Sequence, residues 1–103
     1  MNIPPNFKLC AGLLRVSLYL PQVRAQEDVE SWIAVVKSAV ADECSNAAVT
    51  FRIHDDWQKV IVGVVLCDGS REDVSRMLIQ LLTKFQSLSD VDVMDSFSDV
   101  VEF

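Results

Sequence analysis

The chain has little of what usually builds a chemical site. Its 103 residues include one histidine, three cysteines and three glycines. Cys10, Cys44 and Cys67 are odd in number, far apart and in no metal-ligand spacing, and each sits among apolar residues. They read as small hydrophobes of a reducing, cytoplasmic compartment. Basic residues are also scarce. Nine against fifteen acids give a formal charge of −6, and Lys8, Arg15, Arg24, Lys37, Arg52, Lys59, Arg71, Arg76 and Lys84 are spread along the chain. A nonspecific polyanion surface, and with it DNA binding, is therefore not expected. No uninterrupted apolar run reaches the roughly 18 residues a membrane-spanning helix needs. Leu9 to Leu20 follows Lys8 as an export signal would, but Arg15 interrupts it and no small-residue cleavage site follows, so it reads as a strand. Low-complexity segments are absent, and the length leaves room for one domain, residues 9–103, behind a flexible leader over residues 1–8.

What is present is apolar patterning. Half the residues are apolar and 23% are charged, the balance of a core former. Lys59-Val-Ile-Val-Gly-Val-Val-Leu-Cys67 is a near-continuous β-branched run with breakers at Asp68-Gly-Ser70, the pattern of a central strand. Before it, Leu14, Val16, Leu18 and Leu20 alternate with Leu13, Arg15, Ser17 and Tyr19 in a first strand that Pro21 ends. Val29, Trp32, Ile33, Val36 and Val40 form a helical stripe, with Glu27 and Asp28 in the first turn where the macrodipole favours acids. Val49, Phe51 and Ile53 mark a second strand, joined to the Lys59 strand by a short turn over residues 55–58 and so antiparallel to it. Ser70 with Asp73 reads as an N-cap opening a second helix, whose inner face is Val74, Leu78, Leu81, Leu82 and Phe85. Val91 and Val93 open a last strand that Phe97, Val100, Val101 and Phe103 continue or extend past a kink at Asp95-Ser96.

Strand, helix, strand, strand, helix, strand is a duplicated β-α-β unit. With right-handed crossovers the simplest solution is an α+β ferredoxin-like βαββαβ sandwich, an antiparallel sheet with two helices on one face. That arrangement leaves the other sheet face open. Whichever register the third strand takes, it sends either Val60, Val62, Val64 and Leu66 or Ile61, Val65 and Cys67 outward, beside Leu13 and Tyr19. An exposed patch of this size marks a partner surface or is covered by a terminus. The expectation is self-association, as a homodimer, or a protein partner on the open face. The competing reading covers it with Phe7 and the tail from Phe97 to Phe103.

Candidate sites are few. Trp57 and Gln58 could form an aromatic platform with an amide at the mouth of the central strand, or pack against a helix edge and cap a turn. His54-Asp55-Asp56 reads as a hydrated turn, because neighbours on a strand point to opposite faces and rarely converge on one ion. Cys67 lies at the far end of the strand that His54 precedes, which argues against Cys-His chemistry. The third strand is aliphatic, unlike the aromatic strands of RNA-recognition domains. The Leu20-Pro-Gln-Val-Arg-Ala25 loop carries Arg24 but no glycine to let amides approach an anion, which disfavours an acylphosphatase-like hydrolase.

Two runs resemble a known family. Gly12-Leu-Leu-Arg-Val-Ser-Leu-Tyr-Leu-Pro21, followed by Arg24, resembles the first strand of the bacterial YlxP-like proteins. Asp55-Asp-Trp-Gln-Lys59, then Val62-Gly-Val-Val65, resembles that family's acidic residue, variable position, Trp-Gln and basic residue leading into the central strand. The likeness runs from about Gly12 to Asp95. It implies a small ferredoxin-like domain of undefined function, with a ribosome-linked role suggested by neighbouring transcription and translation genes. Where the family opens its first helix with Ser-Leu-Lys and further basic residues, this chain has Ala25-Gln-Glu-Asp-Val-Glu-Ser31. The reading is thus a noncatalytic interaction protein without cofactor or metal, its partner-binding residues being Tyr19, Asp55, Trp57, Gln58, Lys59 and Val65. The alternatives are a dimeric metabolite-binding regulatory domain and, more weakly, the Arg24 hydrolase.

Overall fold

Period-two alternation decides the layers. The computed structural model describes residues 8–54 and 58–103. Through them run β1 (Cys10–Tyr19), α1 (Gln26–Glu43), β2 (Ala48–Ile53), β3 (Lys59–Asp68), α2 (Arg71–Ser87) and β4 (Asp92–Glu102). The strands bond in the order β2-β3-β1-β4, each neighbouring pair antiparallel. This is the ferredoxin-like α+β sandwich, with β1 and β3 central.

On β1 and β3 the even-numbered side chains point to the helices. Leu14, Val16, Leu18, Val60, Val62, Val64 and Leu66 are all buried, and they meet Val29, Val36 and Val40 of α1 and Val74, Leu78, Leu81 and Phe85 of α2 in one core. Burying a Val, Leu or Phe side chain contributes about 1.5–3 kcal/mol each, so this layer carries most of the stability. The register of β3 follows: Val65 and Cys67 are exposed and Ile61 is half-buried on the opposite face.

The helix ends follow from local chemistry. Ser70 Oγ accepts from the Asp73 amide at 3.3 Å, capping α2. At the start of α1 the Asp28 carboxylate takes the amides of Arg24 at 2.9 Å and Ala25 at 3.2 Å. Those are the donors an anion-binding first loop would need.

β4 differs from expectation. It is one strand whose irregularity lies at Met94, skipped where the pairing passes from Ser17–Asp95 to Leu18–Val93, rather than a kink at Asp95-Ser96. The stretch from Phe97 to Glu102 therefore does not fold back over the open face. It forms the edge of the sheet because its amides and carbonyls pair with β1. Leu9 and Phe103 extend this pairing through backbone hydrogen bonds of 3.4 and 2.8 Å, and the Lys8 ammonium lies 3.5 Å from the Glu102 carboxylate. Phe7 and the rest of the expected leader, apart from Lys8, fall outside the described residues.

Gly12 lets α2 sit this close to β1. A Cβ there would lie 2.6 Å from Val74 Cγ1 and 3.2 Å from the Cδ1 atoms of Leu66 and Leu78. Gly12→Ala should therefore lower the unfolding free energy in urea by about 1–3 kcal/mol, the usual cost of overpacking. An unchanged midpoint would mean that the helix is not seated as described.

Candidate functional site

The face of the sheet away from the helices is built in level rows. Residues directly paired across antiparallel strands point to the same side, so each row can be read from the pairing. Across β2, β3, β1 and β4 the first row is Arg52, Ile61, Ser17, Asp95. The second is Thr50, Gly63, Arg15, Phe97, and the third is Ala48, Val65, Leu13, Asp99. Leu13 is 39% exposed, Val65 46% and Phe97 58%, values that mark these large apolar side chains as surface and not core.

Gly63 makes a hole in that surface. Having no side chain between Thr50 and Arg15, it leaves a hollow of about 360 Å³ bounded by Leu13, Val65, Ile61 and Phe97, with Arg15 and Arg52 among its lining residues. The Arg15 guanidinium lies over the Phe97 ring, 5.8 Å from its centroid. That contact draws the Arg15 side chain toward β4, with its guanidinium against the ring at the rim of the hollow.

The residues singled out from sequence do not form one cluster. Tyr19 and Lys59 are direct cross-strand partners at one end of the open face, Tyr19 half-buried and Lys59 exposed. Val65 shares that face but lies six residues from Lys59, about 20 Å along the strand. Gln58 works elsewhere: its carbonyl accepts from the Leu20 amide at 2.7 Å and its side-chain amide donates to the Val23 carbonyl at 3.4 Å. It ties the β2–β3 connection to the end of β1. Asp55 and Trp57 lie outside the described residues.

Phe97, Arg15, Gly63 and Arg52 were not among the sequence candidates. The available signal was the alternation Asp95, Phe97, Asp99, which places the three on one strand face, but reading it required knowing that β4 lies beside β1.

Among the described residues no polar or charged side chain is buried, and no three metal-ligating residues gather. All three cysteines are free thiols, Cys10 and Cys44 buried and Cys67 exposed. Cys44 Sγ donates to Asn46 Oδ1 at 2.7 Å, and the Asn46 amide donates to the Cys67 carbonyl at 2.9 Å, pinning the turn before β2 to the end of β3. No helix among the described residues is long and apolar enough to cross a membrane.

No family model matches the chain, and no curated protein does. Similar solved structures include two de novo designs. One is Foldit4, at 18% identity and TM-score 0.49, over 92% of this chain and 96% of that one. The other is Ferredog-Diesel, at 12% identity and TM-score 0.48, over 86% and 83%. A hydantoinase/carbamoylase family amidase from Burkholderia ambifaria matches at 13% identity and TM-score 0.48, over 90% of this chain but 28% of its own. At these values the likenesses carry no functional argument.

The Arg15–Phe97 contact is open to direct measurement. A double-mutant cycle with Arg15→Met and Phe97→Leu, read by urea unfolding, should give a coupling of about 0.5–1 kcal/mol, typical of an exposed cation–π pair. Additive effects would mean that the guanidinium does not rest on the ring in solution.

Proposed function

We propose that this chain is a noncatalytic association domain that docks a protein partner on the open face of its sheet. The observation that carries this reading is the apolar surface of Leu13, Val65 and Phe97 around the hollow over Gly63. Exposed apolar area of this kind, rimmed by charge, is what interaction surfaces offer. The sheet edges are less inviting. β2 is only six residues long. β4 carries Asp92, Asp95, Asp99 and Glu102 and is bulged at Met94, devices that discourage strand addition. The face is the better partner surface.

The resemblance to YlxP-like proteins adds a ribosome-linked setting to this proposal. The start of α1 does not favour a contact with RNA, since its first turn holds Glu27 and Asp28, so the partner sought is a protein. Three free thiols suit a reducing, cytoplasmic compartment.

A second reading has one observation behind it. The hollow of about 360 Å³ falls within the roughly 300–1,000 Å³ range of small-ligand sites. Two guanidiniums among its lining residues would suit an apolar carboxylate. Thermal stabilisation by an aromatic carboxylate, abolished by Gly63→Val, would support it.

The docking reading is tested by placing a photo-crosslinking phenylalanine analogue at Val65 or, as a control, at Gln80 on the exposed side of α2, in cells expressing the full chain. A defined protein adduct from position 65 and none from position 80 is the expected result. Equal labelling, or none at 65, would overturn the proposal.

A further inference from the structure

We propose that the occupant of the open face is a second copy of this chain, seated about a two-fold axis that runs parallel to the strands between β3 and β1. This rests on the docking reading above and adds the partner's identity and geometry.

Isologous association requires a surface complementary to itself. A two-fold axis lying in the interface along the strands reverses each row and lays it on its own copy. In the first row, Asp95 of the partner subunit comes over Arg52, and the partner's Arg52 over Asp95. The row is +, neutral, neutral, − in order, and reversal brings opposite charges together at both ends. In the second row the partner's Phe97 comes over Thr50, beside Gly63. The exposed ring thus reaches the hollow that the glycine leaves. The partner's Arg15 stands opposite Gly63 in the row, with its guanidinium drawn toward its own Phe97 ring. In the third row the partner's Val65 comes over Leu13 and the partner's Leu13 over Val65 near the axis, while the partner's Asp99 comes over Ala48 at the outer edge. A knob and a hole, a cation and an anion, stand at matching heights on opposite sides of one line.

The alternative two-fold axis, in the same plane but across the strands, keeps each residue in its column and inverts the rows about the second. It sets Arg15 on Arg15, Phe97 on Phe97 and Asp95 on Asp99. Like charges would then be directly opposed in the middle of an apolar contact, which costs more than at an exposed rim, whereas the axis along the strands sets the two Arg15 side chains in neighbouring columns, each drawn away from the axis toward its own Phe97 ring. The charges choose between the two arrangements.

The dimensions agree. Strands of 10, 6, 10 and 11 residues, about 4.8 Å apart and rising roughly 3.3 Å per residue, present roughly 600 Å² before side-chain relief is added. A stable interface needs on the order of 800 Å² from each partner. Packed sheets cross at about 30°, which displaces the outer columns by about one residue, within reach of an arginine.

Solution mass of the full chain, by sedimentation across low micromolar to millimolar concentration, tests this. The expected result is a concentration-dependent dimer. Arg52→Asp and Asp95→Arg should each weaken it by about tenfold or more, because each sets like charges face to face. Combining the two swaps should restore it. Both positions are exposed, so native circular dichroism of the single variants is expected and is the control. A concentration-independent monomer would overturn the proposal, as would a dimer indifferent to the swaps or one that the double swap fails to rescue. The crosslink at position 65 separates the two failures. An adduct to a different protein from a monomeric chain would remove the second copy and keep the docking face, whereas the absence of any adduct would remove both.

Discussion

The structure depends on one constraint: two helices can cover only one face of a four-stranded sheet. β1 and β3 occupy the centre because their even-numbered residues are mostly Val and Leu, and α1 and α2 are spent covering them. Close contact is needed for that layer to be dry, and Gly12 permits it by letting Val74 and Leu78 approach the β1 backbone. The odd-numbered residues of the same strands are then left outside by geometry and not by polarity. Leu13 and Val65 are exposed because no third layer is available among the described elements, and the chain places its C-terminal strand beside the sheet and not over it.

Much of this was legible in the sequence because period and composition agreed. The helical stripes of Val29 to Val40 and Val74 to Phe85, the Ser70 cap and the alternation of β1 and β2 each point to one element and one face. The face of β3 was not legible, because Val60, Val62, Val64 and Leu66 are no more apolar as a set than Ile61, Val65 and their neighbours. Only the pairing with β1, whose outward residues include Arg15 and Ser17, decides it. β4 was read ambiguously for a different reason. The extra residue at Met94 shifts the phase of its alternation, so Val93 and Val100 share a face although they lie seven positions apart, an offset that would put them on opposite faces of a regular strand. That broken phase also hid Phe97, whose position on the open face depends on the bulge.

The site was harder to read than the fold for the same physical reason. A hollow over Gly63 exists only once Thr50 and Arg15 stand on either side of it, and a cation on β2 faces an anion on β4 only once both strands are placed. Gln58, by contrast, stood out in sequence through its company with Trp57, yet its hydrogen bonds to Val23 and Leu20 serve to hold the connection between strands.

An exposed apolar sheet face on an acidic chain poses a physical problem that its edge strands help to solve. Apolar surface promotes nonspecific contact, while a formal charge of −6 keeps copies apart at long range. Selective association then requires short-range features that outweigh that repulsion in one orientation only. Arg52 and Asp95 sit in the two edge strands at the same level, outside the apolar centre, where water can still solvate them before contact. Charges so placed add little to the strength of a complex but much to the discrimination among its possible orientations. The apolar centre supplies the driving force and the flanking charges supply the register, a division that a face of alternating β-residues can encode with a handful of side chains.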